Sequence, residues 1–189
     1  LISGLDKNKY RIFLFTAQEG LLAAEAASLS GVTLYRSRYL ERLINPLKDF
    51  LALFEICRFI RKNKIKIAHT HSSKAGLLGR WAAKLSGVKI ILHTVHGWSF
   101  NDYQPFFLRK LFIYLERLSA RFTSKIIVVS DFDLQKGLDN RIGVKSQYCL
   151  IRYGIDYAEF SVKDNNIRRE LGLSPNSLVV GMVACFKPQ

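Results

Sequence analysis

The chain has 189 residues, 49% of them hydrophobic, enough to bury a real core in one large domain. Its formal net charge of +14, from 29 Lys and Arg against 15 Asp and Glu, calls for an anionic partner: phosphate ligands, an anionic membrane surface or nucleic acid. No apolar run approaches the roughly 18 residues of a bilayer span, and no signal peptide is visible; since the chain begins at Leu1 rather than Met, its natural start is expected upstream.

In chain order, residues 11–16 (RIFLFT) predict a buried strand, and residues 18–30, rich in Ala and Leu, a helix ending at Gly31. Residues 32–35 predict a second short strand. Asn45-Pro46 marks a helix start, an N-cap residue followed by proline in the first turn, and that helix runs to about Asn63. Residues 65–68 predict a third strand, and Ser72 or Ser73 caps a helix ending near Gly87. A fourth strand spans 89–92. A long helix over 104–123 carries Leu108, Leu111, Phe112, Leu115, Leu118 and Phe122 on one face. A fifth strand at 125–129, a helix from 131 to about 140 and a sixth strand at 147–151 follow. Strands alternating with helices at this spacing predict an α/β fold, a Rossmann-like parallel sheet with helices on both faces.

Near Asp164 the texture changes. Asp164, Asn165 and Asn166 lead into a short helix, Gly172, Ser174, Pro175 and Asn176 form a turn, and residues 178–184 (LVVGMVA) predict a new buried strand. The expected division is therefore a first domain over 1–163, then a linker and the first strand of a second domain over 164–189. There is no internal repeat and no low-complexity tract. The three cysteines, Cys57, Cys149 and Cys185, are odd in number and lack CxxC spacing, so they are expected as reduced thiols in a cytosolic setting. Cys57 falls in an apolar helical pattern and is expected in the core.

All four histidines lie in two segments, 67–76 (IAHTHSSKAG) and 90–98 (IILHTVHGW), each directly following an apolar run. Loops leaving the carboxyl ends of parallel strands form the ligand crevice of open α/β sheets, so these segments are the expected active-site wall. Ser72 and Ser73 at a helix start, with Lys74 in the first turn, make an anion site; ordinary N-capping with close packing at Gly76 and Gly79 is the plainer alternative. His96, beyond the strand end and beside Gly97, is placed to orient a hydroxyl or pyrophosphate or to move a proton. His93, nearer the strand, is expected as a hydrogen-bonded core residue. Joining the histidines into a zinc site is a third reading, but no carboxylate or cysteine accompanies them, and no metal is expected. Ser130 at the fifth strand's end caps the next helix, or faces the cleft.

Basic residues cluster with aromatics twice: Phe106, Phe107, Arg109, Lys110, Tyr114, Arg117 and Arg121, and Arg58, Phe59, Arg61, Lys62, Lys64 and Lys66. Such helices can lie on an anionic membrane, or simply present a solvated face opposite a core stripe. None of the usual nucleic-acid recognition motifs is present, and no nucleic acid is expected as a partner.

The ordered segments HTHSSKAGLLGRWAAKLSGVKIILHTVHGW, LERLSARFTSKIIVVSD and LIRYGIDYAEF resemble the retaining glycosyltransferases of family 4, most specifically from His69 to Phe160. The resemblance implies one half of a GT-B fold, the amino-terminal, acceptor-side domain, with GMVACFKPQ similar to the first strand of the donor-side domain. It implies sugar transfer from a nucleotide-sugar to an acceptor hydroxyl with retention and no cofactor, in cell-envelope polysaccharide or glycolipid synthesis. A cytoplasmic protein, peripheral on the inner leaflet and acting on a lipid-linked acceptor, is the expected setting. His96 matches the histidine at the reaction centre, and Ser72, Ser73 and Lys74 match the acceptor-facing loop. The family's first strand and glycine-rich loop are expected upstream of Leu1, and the donor-binding half lies outside the chain. Cys185 stands where many relatives carry arginine, and Tyr153 where asparagine is common before Gly154. A GT-B-type sugar-nucleotide epimerase, and a non-catalytic basic module that binds membrane or nucleic acid, are the alternatives.

Overall fold

A computed structural model describes residues 2–20, 23–155, 157–160, 166–174 and 176–182. The chain divides into two units, Leu1–Ile151 and Arg152–Gln189. In the first, strands and helices alternate: β1 (Ile12–Ala17), α1 (Ala23–Ser28), β2 (Val32–Ser37), α2 (Pro46–Asn63), β3 (Ile67–His71), α3 (Ser73–Leu85), β4 (Ile90–Val95), α4 (Phe106–Ala120), β5 (Lys125–Val128), α5 (Asp131–Asp139) and β6 (Tyr148–Leu150). Every strand pairing is parallel, as strands joined through helices require.

The strands form two ladders, β1-β2 and β3-β4-β5-β6, rather than the single sheet expected. Periodicity identifies strands but not which edges meet. Here β1 and β3 communicate through side chains, Phe15 and Ala68 both packing against one buried cluster, with no backbone ladder between them. That cluster joins Ile56, Cys57 and Ile60 of α2 to Ala82 and Ala83 of α3, with Val88 and Ile91, and confirms Cys57 as core. A second cluster gathers Val95, Phe100, Ile113, Ala120, Ile126, Val128 and Ile142.

The start of α2 follows from its sequence. Asn45 is extended, its side chain accepts from Lys48 N at 3.2 Å, and Asp49 returns a bond to Asn45 N at 3.1 Å. Two of the helix's unpaired first-turn amides are thereby satisfied reciprocally.

On α4 the buried face differs from the expected one. The buried residues are Ile113, Glu116, Ser119 and Ala120, while Leu108 and Leu111 are exposed. A stripe drawn through hydrophobic residues alone passes over Glu116 and Ser119. Both are buried because each has a partner: Glu116 pairs with Arg80, and Ser119 accepts from Trp81 Nε1 at 3.1 Å. The helix is turned accordingly, leaving Phe106, Phe107, Leu111 and Tyr114 on the surface.

The second basic cluster also separates on folding. Phe59 is not a surface aromatic; its ring packs against Phe13, Phe15 and Tyr35 at centroid distances of 5.8, 5.2 and 5.0 Å. Arg61 donates to the Leu85 carbonyl at the end of α3. The cations around Phe59 thus border a core, the solvated-face alternative.

Among its described residues the second unit contains two short helices, α6 (Tyr157–Phe160) and α7 (Asn166–Glu170). The expected strand over 178–184 is not formed in its described part. Residues 177–182 belong to no regular element, and Leu178, Val180 and Met182 are exposed. A strand needs a neighbour for its backbone groups, and among the described residues none runs beside it. Residues 183–189, with Cys185, lie outside the described residues, as does Pro175.

Candidate active site

Parallel pairing brings the two histidine segments side by side. His69 lies opposite Leu92, Thr70 opposite His93 and His71 opposite Thr94. Successive strand residues point to opposite faces, so this register sorts the four histidines. His69, His71 and His96 share one face at the carboxyl ends of β3 and β4; His93 lies on the other, beneath α3.

On the α3 side, His93 is the core residue expected, 3% exposed. Thr70 Oγ1 donates to the Leu92 carbonyl at 3.2 Å, and a hydroxyl has one proton to give. It must therefore accept from His93 Nδ1–H, 3.0 Å away, which sets the tautomer of the neutral ring. Burial, followed by the charge of Arg80, lowers the pKa of His93 to about 2. Gly76 makes room for this ring: a Cβ there would lie 2.5 Å from His93 Cε1. The close-packing alternative thus holds for Gly76.

On the opposite face three imidazoles run in series. His69 Nε2 lies 2.8 Å from Thr94 Oγ1, the His69 and His71 ring centroids are 4.3 Å apart, and His71 Nδ1 is 3.0 Å from His96 Nε2. Burial and the neighbouring imidazoles lower the pKa of His71 to about 4, and burial lowers that of His69. Near neutral pH His69 and His71 are therefore uncharged hydrogen-bonding groups. Among the described residues, no group of three or more His, Cys, Asp or Glu could hold a metal ion.

His96 is exposed, directly after buried Val95. Gly97 turns the chain with φ 103°, a conformation that L side chains rarely adopt. Beyond the turn the loop is pinned three times. Trp98 Nε1 donates to Asp133 O at 2.8 Å, Ser99 Oγ lies 3.4 Å from Glu116 Oε1, and Phe100 is 1% exposed. A short exposed turn between fixed points is a rigid mount for a functional side chain.

The remaining sequence-identified residues have distinct fates. Ser72 and Ser73 are exposed at the start of α3. Ser72 has φ 60° and ψ 168°, a region costly outside glycine, and its side chain makes no capping bond. Lys74 bonds to the Leu43 carbonyl and pairs with Asp49 of α2. Ser130 is the helix cap: its Oγ accepts from Asp133 N at 3.1 Å and donates to the Asp133 carboxylate at 2.6 Å. On α4, Arg109 pairs with Asp102, Lys110 lies over the Phe106 ring and Arg117 donates to the Asn140 carbonyl; Arg121, which caps the end of α4, is exposed.

Two features escaped the sequence reading. The Arg80–Glu116 pair bridges α3 and α4 at 2.7 Å, its side chains 1% and 5% exposed. Its signal was present: Glu116 falls three residues after Ile113 and four before Ala120, on the buried stripe. The other is the His71–His96 bond, implicit once β3 and β4 are set in register.

The model of glycosyltransferase family 4 matches residues 1–159. The chain belongs to this family. Among its relatives is the Escherichia coli UDP-Gal:alpha-D-GlcNAc-diphosphoundecaprenol alpha-1,3-galactosyltransferase, 32% identical over 151 residues, covering 78% of this chain and 39% of the relative. Another is the E. coli O-antigen biosynthesis glycosyltransferase WbnH, 32% identical over 144 residues, covering 76% of this chain and 40% of the relative. This family 4 chain therefore spans about two fifths of the length of the curated relatives it matches. Its fold matches one domain of solved GT-B glycosyltransferases. A glycosyltransferase from Rickettsia africae ESF-5 superposes with a TM-score of 0.66 at 19% identity, over 89% of this chain and 43% of that one. Anabaena HepE, solved in complex with UDP, gives 0.56 at 13% identity, over 85% and 50% of the two chains.

Proposed function

We propose that this chain is the acceptor-side domain of a retaining glycosyltransferase that moves a sugar from a nucleotide-sugar to the hydroxyl of a lipid-linked acceptor, in O-antigen or related glycolipid synthesis. The observation that carries the reading is His96. It is exposed on a pinned turn at the carboxyl ends of β3 and β4, and held by a second histidine. The open start of α3 follows β3 directly, and its first-turn amides and helix dipole favour a developing negative charge. Departure of a nucleoside diphosphate generates such charge, and fixed donors that need no reorganisation are the efficient way to stabilise it. Ser72, Ser73 and Gly97 border the same region, whereas Lys74 acts by fixing that region to α2. The reading needs no metal and no cofactor.

The test is nucleotide release by the full-length protein, given a panel of UDP- and GDP-sugars and a membrane lipid extract. His96→Ala is expected to lower acceptor-dependent release on the order of 100-fold. Equal release by the variant would remove His96 from the reaction.

The setting is proposed as the cytoplasmic surface of the inner membrane. Among the described residues no helix is long and apolar enough to cross a membrane. The exposed Phe106, Phe107, Leu111 and Tyr114, flanked by Lys110, Arg117 and Arg121, instead suit a helix lying on anionic lipid. Changing Arg109, Lys110 and Arg117 together to Glu is expected to abolish sedimentation with anionic liposomes, and unchanged sedimentation would refute the membrane assignment.

A further inference from the structure

The geometry points to His71 as a positioning residue for His96, fixing its ring orientation and tautomer through a direct imidazole–imidazole hydrogen bond. The inference rests on the catalytic reading of His96. The two nitrogens are 3.0 Å apart, and the rings are nearly coplanar, their planes 25° apart and centroids 5.3 Å apart. That is an edge-to-edge arrangement, with the N–H of one ring in line with the lone pair of the other. Face-to-face stacking would bring the centroids closer. Only one proton fits between the two nitrogens, so the tautomers of the rings are coupled.

The rest of the structure keeps His71 suited to this task. It ends β3 and is therefore held by the sheet, in register with Thr94. On its inner side lies the ring of His69, itself bonded to Thr94. The low proton affinity of His71 leaves it neutral near pH 7, so the bond carries no charge repulsion when His96 takes up a proton. In that state His96 Nε2–H donates and His71 Nδ1 accepts. His71 can thus hold His96 in both protonation states without leaving its strand.

Two measurements on the full-length protein test this. In 15N-labelled protein, a scalar coupling across the hydrogen bond between His71 Nδ1 and His96 Nε2 is expected. A folded spectrum without that coupling overturns the proposal. In steady-state kinetics, His71→Phe keeps an aromatic ring but cannot bond, and is expected to lower kcat on the order of 10- to 100-fold with the donor KM unchanged. His71→Asn carries an amide close to the Nδ1 position and is expected to recover most of that loss. Wild-type kcat in His71→Phe, or equal losses in both variants with unfolding temperatures preserved, would refute positioning through the bond. Should His71→Phe fail to fold, the coupling and the Asn variant still decide. Wild-type turnover in His96→Ala would defeat the catalytic reading instead, and leave the coupling as an independent test of the His71 contact.

Discussion

Glu116→Gln is expected to destabilise the first unit by about 3–5 kcal/mol, because it strands the Arg80 guanidinium without its counter-charge. Arg80 is 1% exposed, and its Nε is already bonded to the Gly76 carbonyl at 3.1 Å. Water cannot reach the guanidinium to compensate, and an arginine cannot shed its charge. Arg80→Met is expected to cost less, since the remaining carboxyl can take up a proton. A double variant, Arg80→Met with Glu116→Leu, removes both charges and keeps the volume. It is expected to return to within about 1 kcal/mol of wild type or to exceed it. Urea unfolding of the three variants checks this. If each single variant stays within about 1 kcal/mol of wild type, the pair is hydrated rather than buried. The pair also bears on the site. Arg80 holds the first turn of α3 through Gly76, and Glu116 meets Ser99, three residues beyond His96. Loss of one partner is therefore expected to loosen the mount of His96 as well as the core.

Much of this was legible because it is local. Asn45 and Pro46 start α2 as their chemistry dictates, and the apolar runs before the histidines became β3 and β4. The core role of His93 followed from its place within an apolar run. What could not be read was long-range partnership. Lys74 meets Asp49, 25 positions earlier, through the packing of α2 beside α3, and a first-turn lysine in isolation reads as an anion ligand. The spacing of Glu116 puts it on the stripe of Ile113 and Ala120, but its partner Arg80 lies 36 positions earlier, and a stripe drawn through apolar residues alone rotated the expected face of α4. The division into two ladders likewise depends on which edges meet, a property that no single strand carries. The family resemblance located His96; only the register of β3 against β4 supplied its partner.

Acidification is expected to weaken the fold well before ordinary carboxylate titration, and the source is His93. In the unfolded chain a histidine takes up its proton near pH 6.5. In the folded state His93 stays neutral down to about 2, because the space beneath α3 and the nearby Arg80 disfavour a second positive charge. Below pH 6.5 the unfolded state therefore binds the extra proton, and stability falls as pH falls; above pH 6.5 the contribution is complete and independent of pH. One proton corresponds to about 1.4 kcal/mol per pH unit, and since the unfolded histidine is half protonated at pH 6.5, His93 alone removes about 2 kcal/mol between pH 6.5 and 4.5. His71, neutral in the folded state down to about 4, and His69, also shifted down, act in the same direction. Against the 5–15 kcal/mol typical of a native domain this is a large fraction. The check is the pH dependence of urea unfolding for wild type and His93→Asn, whose amide can still donate to Thr70. The variant is expected to lose about one proton of slope in this window. Carboxylates contribute equally to both proteins and cancel in the difference. Identical slopes would place the proton uptake elsewhere and contradict a buried, neutral His93.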